Sequence, residues 1–350
     1  MNNYFSGYLL IISIFISSFT FAQQYQGTIK GRVLEESTGK PLENVNVFIS
    51  GTTWGTTTDV YGYFTIKFLP AGTHEVVASM IGYQSLTKSL TLREGTTVQL
   101  VFKLFETQYE LQSVEVSGES PDEWKSKLEI FKKRFLGDSQ FASGCVIQNP
   151  EYINLNWSTP NILTAETSHP VVIINNDLGY SISCILVSFE WDTKSQQIRT
   201  LVRPNFTQLL DTTGTLKEQW IKNRKEAYFG SLDNFLKSLV NNLLKENGFV
   251  VYYGATPSVE VKNLHQLNFP LIRMDGNEFY LSFKDYLQID YVLNDPVHPE
   301  ISWIKLLYPQ VTLDKFGYPL EQLPFEVHGN WARKGIADML PKYFTPTDSL

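Results

Sequence analysis

Cysteine and histidine are scarce in this chain, with two of the first and five of the second among 350 residues. Three positions after the histidines stand Val77, Val172, Asn268, Ile301 and Trp331, so the sequence holds neither His-x-x-Glu nor His-Glu-x-x-His. A catalytic zinc site needs three protein ligands and an open position, and this spacing supplies no recognisable set. Also missing are a Gly-x-Ser-x-Gly elbow, a phosphate loop ending in Gly-Lys-Ser/Thr and a Gly-x-Gly dinucleotide turn. Basic residues are thinly spread, 29 against 36 acidic ones, and the one basic cluster is Lys132-Lys133-Arg134. Binding to nucleic acid requires clustered Lys and Arg, so it is not an expected partner. The cluster falls near the end of a predicted helix, where it complements the helix dipole. After residue 22 no apolar run reaches the ~20 residues that cross a bilayer as a helix. These patterns point to no cofactor and no metal.

What the chain does have begins with an export pattern. Residues 9–21 are apolar apart from serines and Thr20, and Thr20-Phe21-Ala22 offers small residues where a signal peptidase reads. Residues 1–8 depart from the pattern in having no Lys or Arg. The run is too short to anchor before Gln23-Gln24, so residues 1–22 are expected to be a cleaved signal peptide. The mature protein is then expected in the periplasm, on the outer membrane or outside the cell, with no transmembrane segment.

Residues 27–104 alternate apolar and polar positions. Val45, Val47 and Ile49 alternate with Asn44, Asn46 and Phe48; Phe64, Ile66 and Phe68 with Tyr63, Thr65 and Lys67; Val98, Leu100, Phe102 and Leu104 with Gln99, Val101 and Lys103. Side chains two apart share a face, so each segment offers one face to the core of a two-sheet sandwich. Turn chemistry separates the strands at Ser37-Thr38-Gly39-Lys40-Pro41, Asp59-Val60-Tyr61-Gly62 and Pro70-Ala71-Gly72. Together with Gly31-Arg32-Val33, Gly55-Thr56-Thr57-Thr58-Asp59, Gly62-Tyr63-Phe64 and Gly82-Tyr83, this order of pieces resembles the carboxypeptidase-regulatory-like domain, a transthyretin-like β-sandwich. The resemblance implies a non-catalytic module of the kind Bacteroidetes attach to envelope proteins, often ahead of TonB-dependent receptors. The fold hosts many roles, so it implies a place and an architecture rather than an activity. In carboxypeptidases the module is an accessory, and here the catalytic domain is missing.

A boundary follows. Ser120-Pro121-Asp122-Glu123 reads as a helix start with a capping box, Trp124, Leu128, Phe131 and Phe135 fall at helical spacing, and Gly137 closes the helix. Residues 110–116 before it read as a last strand or a linker strand. Strands return between Cys145 and Arg203, with a hairpin over 171–189. Helices are expected over 216–229 and 232–247, the second capped by Ser231 and stopped by Gly248. A second hairpin turns at Asp275-Gly276, and residues 331–340 read as a short helix. The reading is therefore a signal peptide (1–22), an all-β transthyretin-like sandwich (23–118) and an α+β domain (119–350) with a mostly antiparallel sheet and several helices. The last part resembles the uncharacterised region that accompanies the module in some Bacteroidetes proteins, which brings no activity with it.

Candidate contact residues are Trp54, Tyr61, Tyr63 and Tyr83, in or beside loops of the first domain, where rings can stack on sugars or anchor a protein; packing under loops and sheet edges is the competing role. Asp295-Pro296-Val297-His298-Pro299-Glu300 gathers acids and an imidazole but has the composition of an exposed loop, and Asp275-Gly276-Asn277-Glu278 reads as a turn rather than a calcium loop. Cys145 and Cys184 are an even pair in an exported chain, open to a disulfide or to two buried thiols. Two functions stay open: a non-catalytic envelope protein docking a protein or glycan, and a hydrolase with its site in the second domain. A deep pocket of converging acids or histidine favours the hydrolase, a flat aromatic patch the docking protein.

Overall fold

The computed structural model describes residues 26–107, 120–255, 257, 265–266, 270–276 and 278–347; the expected leader and the strand expected over 110–116 lie outside them. The first stretch folds into β1 (Gly27–Glu35), β2 (Asn46–Ile49), β3 (Gly55–Thr57), β4 (Tyr63–Leu69), β5 (Gly72–Ser79), β6 (Leu86–Leu92) and β7 (Thr97–Leu104). These form two sheets, β4-β1-β7 and β3-β2-β5-β6, antiparallel except for the β1–β7 pair. Alternation sorts the faces: Ile29, Val33, Phe64, Ile66, Phe102 and Leu104 of one sheet meet Val47, Ile49, Val76 and Ala78 of the other in one buried core. The turn before β4 uses its sequence as expected. Asp59 accepts from the N–H groups of Tyr61 and Tyr63, and Gly62 sits at φ 76°, where a Cβ would meet the Val33 carbonyl at 2.5 Å.

Behind it α1 (Pro121–Leu136) starts at Ser120, whose hydroxyl accepts from Glu123 N at 3.2 Å. Glu123 turns its carboxylate to Lys127 (3.5 Å). The strands β8 (Cys145–Ile147), β9 (Ile153–Thr159), β10 (Ile162–Thr167), β11 (Val171–Asn175), β12 (Tyr180–Asp192) and β13 (Ile198–Gln208) form an antiparallel sheet ordered β8-β11-β12-β10-β9, with β13 also paired to β12. Leu128, Phe131 and Phe135 of α1 pack on its inner face against Ile173, Ile182 and Phe189. Then come α2 (Lys217–Tyr228) and α3 (Leu232–Val240). The remaining strands are β14 (Phe249–Ala255), β15 (His265–Gln266), β16 (Ile272–Asp275), β17 (Glu278–Leu281), β18 (Tyr286–Tyr291), β19 (Glu300–Leu306), β20 (Val311–Leu313) and β21 (Phe325–Gly329). They make a five-stranded sheet, β15-β14-β18-β19-β21, and a three-stranded one, β16-β17-β20. The apolar face of α3, with Phe235, Leu236 and Leu239, closes a second core on them. The described residues are thus mostly β, in several largely antiparallel sheets with three α-helices.

Two local expectations are corrected, and the cysteine pair, left open between a bridge and two thiols, takes the second form. The helix expected over 232–247 stops at Val240, because Asn242 adopts φ 56° and the amide of Asn241 turns back to the Lys237 carbonyl. The helix expected over 331–340 is two short 3₁₀ turns, Trp331–Arg333 and Ile336–Asp338, interrupted where Gly335 lies so close to the end of α1 that a Cβ would meet Leu136 C at 2.5 Å. Cys145 and Cys184 are free thiols, because β11 lies between their strands and the two residues pair with opposite ends of it, Asn175 and Val171. Both hairpins, β11–β12 and β16–β17, form where expected.

The sandwich meets the rest of the chain along a seam of backbone bonds. Gly51 N donates to Pro204 O (2.7 Å), Phe206 N to Thr52 O (3.0 Å) and Lys342 N to Gly51 O (2.6 Å).

Candidate functional site

The four aromatic candidates do not converge. Tyr61 and Tyr63 are 65% and 53% exposed on and beside the outer face of the β4-β1-β7 sheet. Arg32, the cross-strand partner of Tyr63, donates from Nε to Tyr61 O (2.8 Å) and sets its guanidinium 5.0 Å from the Tyr63 ring centre. Lys30 and Thr65 pair on the same face, which makes it flat, aromatic and cationic. Trp54 lies at the seam, half-buried, 5.4 Å from the ring of Tyr343. Tyr83 is half-buried and donates to Glu35 Oε1 at 3.3 Å.

The histidines are dispersed too. His74 is buried and donates from Nε2 to the Pro70 carbonyl (2.8 Å), and burial lowers its pKa. His169 packs on Tyr152. His298 and Asp295 sit in an exposed turn, with Asp295 accepting from the N–H groups of Val297 and His298. Among the described residues no group of three His, Cys, Asp or Glu side chains is placed to hold a metal ion.

The region behind the sandwich contains a cavity of about 640 Å³, within the range of ligand pockets. It lies between β13 and β21 and is walled by the end of α1, the α2–α3 junction and residues 331–341, with Phe135, Ile198, Leu232, Phe325, Trp331 and Leu340 among its apolar lining. Its polar corner was not anticipated from the sequence. Glu326 Oε1 accepts from Tyr286 OH (2.6 Å) and from His328 Nε2 (2.8 Å), and the Gln197 amide lies 3.4 Å from the imidazole. Burial works to raise the Glu326 carboxyl, but these two hydrogen bonds together with the charges of His328 and Lys305 hold the group below the ordinary range. Tyr286, half-buried and bonded to that carboxylate, is pushed up to about 12 by desolvation and by that bond. The only signal for this corner was the Glu326-x-His328 spacing, which puts both side chains on one face of a strand. Of the hydroxyls lining the cavity, Ser195 donates to Asp192 (2.9 Å) and Ser231 caps α3. The corner itself presents a carboxylate, an imidazole, a phenol and an amide, joined by hydrogen bonds.

Residues 29–116 match the family model described as CarboxypepD_reg-like domain. The sandwich is a CarboxypepD_reg-like domain. The TonB-dependent receptor SusC of Bacteroides thetaiotaomicron is 42% identical over 76 residues, 22% of this chain and 7% of that protein. A TonB-dependent receptor of Formosa agariphila is 33% identical over 112 residues, 32% of this chain and 10% of that protein. The alignments thus span a tenth or less of either receptor. Among solved structures, a group B streptococcus pilus 2b backbone protein is 17% identical over 23% of this chain and 42% of its own, with a TM-score of 0.21. The 5-hydroxyisourate hydrolase of Klebsiella pneumoniae is 22% identical over 23% of this chain and 91% of its own, with a TM-score of 0.20. Scores this low carry nothing further. Among the described residues no helix is long and apolar enough to cross a membrane, which leaves β-barrel spanning unaddressed.

Proposed function

We propose that this chain is an exported, non-catalytic cell-envelope protein that docks a protein or glycan partner through its CarboxypepD_reg-like domain. The observation that carries the reading is the exposed Tyr61–Tyr63–Arg32 face. It lies on the sheet that does not supply the seam, so the attached region leaves it free to meet a partner. Aromatic rings with a stacked arginine are the residue types that dominate binding hot spots, and they suit sugar faces equally. The segment likeness to TonB-dependent receptors supports an envelope setting. In this reading residues 1–22 are removed on export, residues 23–118 are the docking module and residues 119–350 form an α+β unit behind it. The test is in-cell crosslinking with mass spectrometry on the wild-type chain and on the Tyr61→Ala/Tyr63→Ala double variant. The double variant is expected to lose the principal adduct while keeping the wild-type melting temperature. An unchanged adduct pattern removes the face from the reading.

A second reading, a hydrolase in the region behind the sandwich, is favoured by one observation, the Glu326–His328 pair at the mouth of a sizeable cavity. Screening ester, amide and glycoside substrates with wild type and His328→Ala separates the two readings. Turnover that depends on His328 supports the hydrolase.

A further inference from the structure

The cavity is bordered on two sides by strands that, among the described residues, have a ladder partner on one side only, β13 with β12 and β21 with β19. Residues 198–200 of β13 and 325–329 of β21 line it without a break in sequence. Successive side chains of a strand point to opposite faces, so a run of neighbours borders one space only when the strand turns its edge toward it. The hydrogen bonds at each strand end say which backbone groups point there. Leu307 N donates to Pro324 O and Asn330 N to Ile301 O, both at 2.9 Å, so even-numbered residues of this stretch face β19. Phe325, Val327 and Gly329 then turn their N–H and C=O groups away from β19, toward the cavity. On the side of β13 away from β12, Pro204 O accepts from Gly51 N and Phe206 N donates to Thr52 O. The same alternation carries the outward groups of Ile198, Thr200 and Val202 to the cavity.

One half of the β13 edge is already used for strand pairing. Thr52 forms a parallel bridge with Asn205, so the sandwich lays a short extended segment along this edge, and the half bordering the cavity continues it. Open edges are templates for another strand, and natural proteins ordinarily block them with charge, proline or a covering element. Here Arg134, Arg199 and Lys334 are balanced by Asp233, Glu326 and Asp338 in a lining that mixes apolar side chains with neutral polar ones such as Gln196, Gln197 and Thr200, which selects no strongly charged guest.

We propose that the cavity is a strand-addition site. It takes an extended, uncharged segment of a partner polypeptide, apolar at alternate positions, whose main chain hydrogen-bonds to the free edge of β13 and, across the cavity, to that of β21. The partner class is a polypeptide read through its backbone, with the apolar walls reading every second side chain. This site is separate from the tyrosine face, so its failure leaves the docking reading standing.

The test uses the full chain and a labelled pool of capped heptapeptides alternating Val, Ile or Leu with Thr, beside the same pool N-methylated at alternate amides. Saturable binding of the first pool is expected, with at least tenfold weaker binding of the second. Thr200→Pro and Val327→Pro each delete an outward N–H and spare the ladder bonds to β12 and β19; both are expected to weaken binding at least tenfold, Thr200→Pro at an unchanged melting temperature and Val327→Pro, which also gives up packing on the second core, while still folded. Amide exchange at Ile198, Thr200 and Val202 in the unmutated chain is expected to slow when the pool is added, which gives a readout independent of the variants. Tyr61→Ala/Tyr63→Ala is expected to bind the pool normally. Equal binding of the two pools, absence of saturable binding, or unchanged exchange at those three amides overturns the proposal.

Discussion

Among the described residues the sandwich buries five polar side chains, Ser50, Thr52, Thr58, His74 and Ser79, none of them an acid, Lys or Arg. The region behind it buries ten, and five of these are of charged type: Lys127, Arg224, Asp290, Asp314 and Asp338. The difference shows in how each part is held together. Sandwich strands need only alternation and turns, with local bonds such as Thr58 Oγ1 to Leu42 O (2.7 Å) tying a loop down. Behind it, side chains reach across long stretches of chain to satisfy backbone groups. Asn175 Nδ2 donates to Ala337 O (2.9 Å), and Arg224 in α2 donates to the carbonyls of Leu178 (2.7 Å) and Gly179 (3.2 Å) while lying 4.0 Å over the Tyr180 ring. A buried polar group left without a partner costs free energy, so each bond selects one arrangement of helix on sheet.

The contrast is sharpest in a pair of truncations. Arg224→Ala removes bonds from a buried cation to two carbonyls along with its ring contact, and is expected to cost about 3 kcal/mol or more. Thr58→Ala removes one hydroxyl that accepts from Val45 N and donates to Leu42 O, and is expected to cost about 1–2 kcal/mol. Urea unfolding followed by circular dichroism measures both. Equal costs would break the contrast. Two separate transitions, with Arg224→Ala moving only one of them, would sharpen it into independent folding units.

This contrast also explains what the sequence made legible. Strand alternation, the cap at Ser120 and the Asp275-Gly276 turn are signals contained within a few neighbouring residues, and each appears in the structure, except that the alternation fails at Phe68, which sits at φ 64° and is exposed while Leu69 takes the core position. The end of α3 was misplaced because its apolar pattern runs on through Leu243 and Leu244, while the backbone breaks at Asn242. The Glu326–His328 corner was missed because its other members, Tyr286 and Gln197, come from distant strands and turns. In the sandwich, Tyr61 and Tyr63 were singled out by residue type, but Arg32 between them is joined to them by strand register. Local chemistry is readable in one dimension; partners brought together by sheet order are not.

A milder perturbation is pH, and the two parts should answer with opposite sign. Burial lowers the pKa of His74 below its ordinary 6.5. Its contribution to the sandwich is complete above 6.5 and is lost as pH falls from there toward the folded value, because the unfolded chain then binds the extra proton. Burial raises Asp290, Asp314 and Asp338 above the ordinary aspartate range. These favour the protonated fold, so their region gains stability as pH falls from neutral through the raised values, and the gain is complete below the unfolded value of about 3.9. Glu326, held low, pulls the other way only at more acid pH. Hydrogen exchange corrected for intrinsic rate, at pH 7.5 and 5, should therefore show protection falling in β5 and rising in β18 and around Asp314 and Asp338. Movement in the same direction in both would contradict the assignment of these buried groups.

The smallest expected effect is that of a reductant, which should change the stability of neither part. The sandwich has no cysteine, and behind it Cys145 and Cys184 stand on strands with β11 between them. Two strand spacings come to about 10 Å, and the four-residue offset along β11 adds roughly 13 Å in the perpendicular direction. A disulfide needs Cα atoms within about 7 Å, so bonding would require moving the sheet itself. Both thiols face the core and are pushed up to about 12, Cys145 by burial with help from Asp177 and Asp338, Cys184 by burial alone. Thiolate is the reactive form, so the folded chain should label slowly. Protein purified without reductant and then unfolded should titrate two free thiols per chain. Zero thiols would mean that β8 pairs elsewhere, and the β8-β11-β12 order would have to be redrawn.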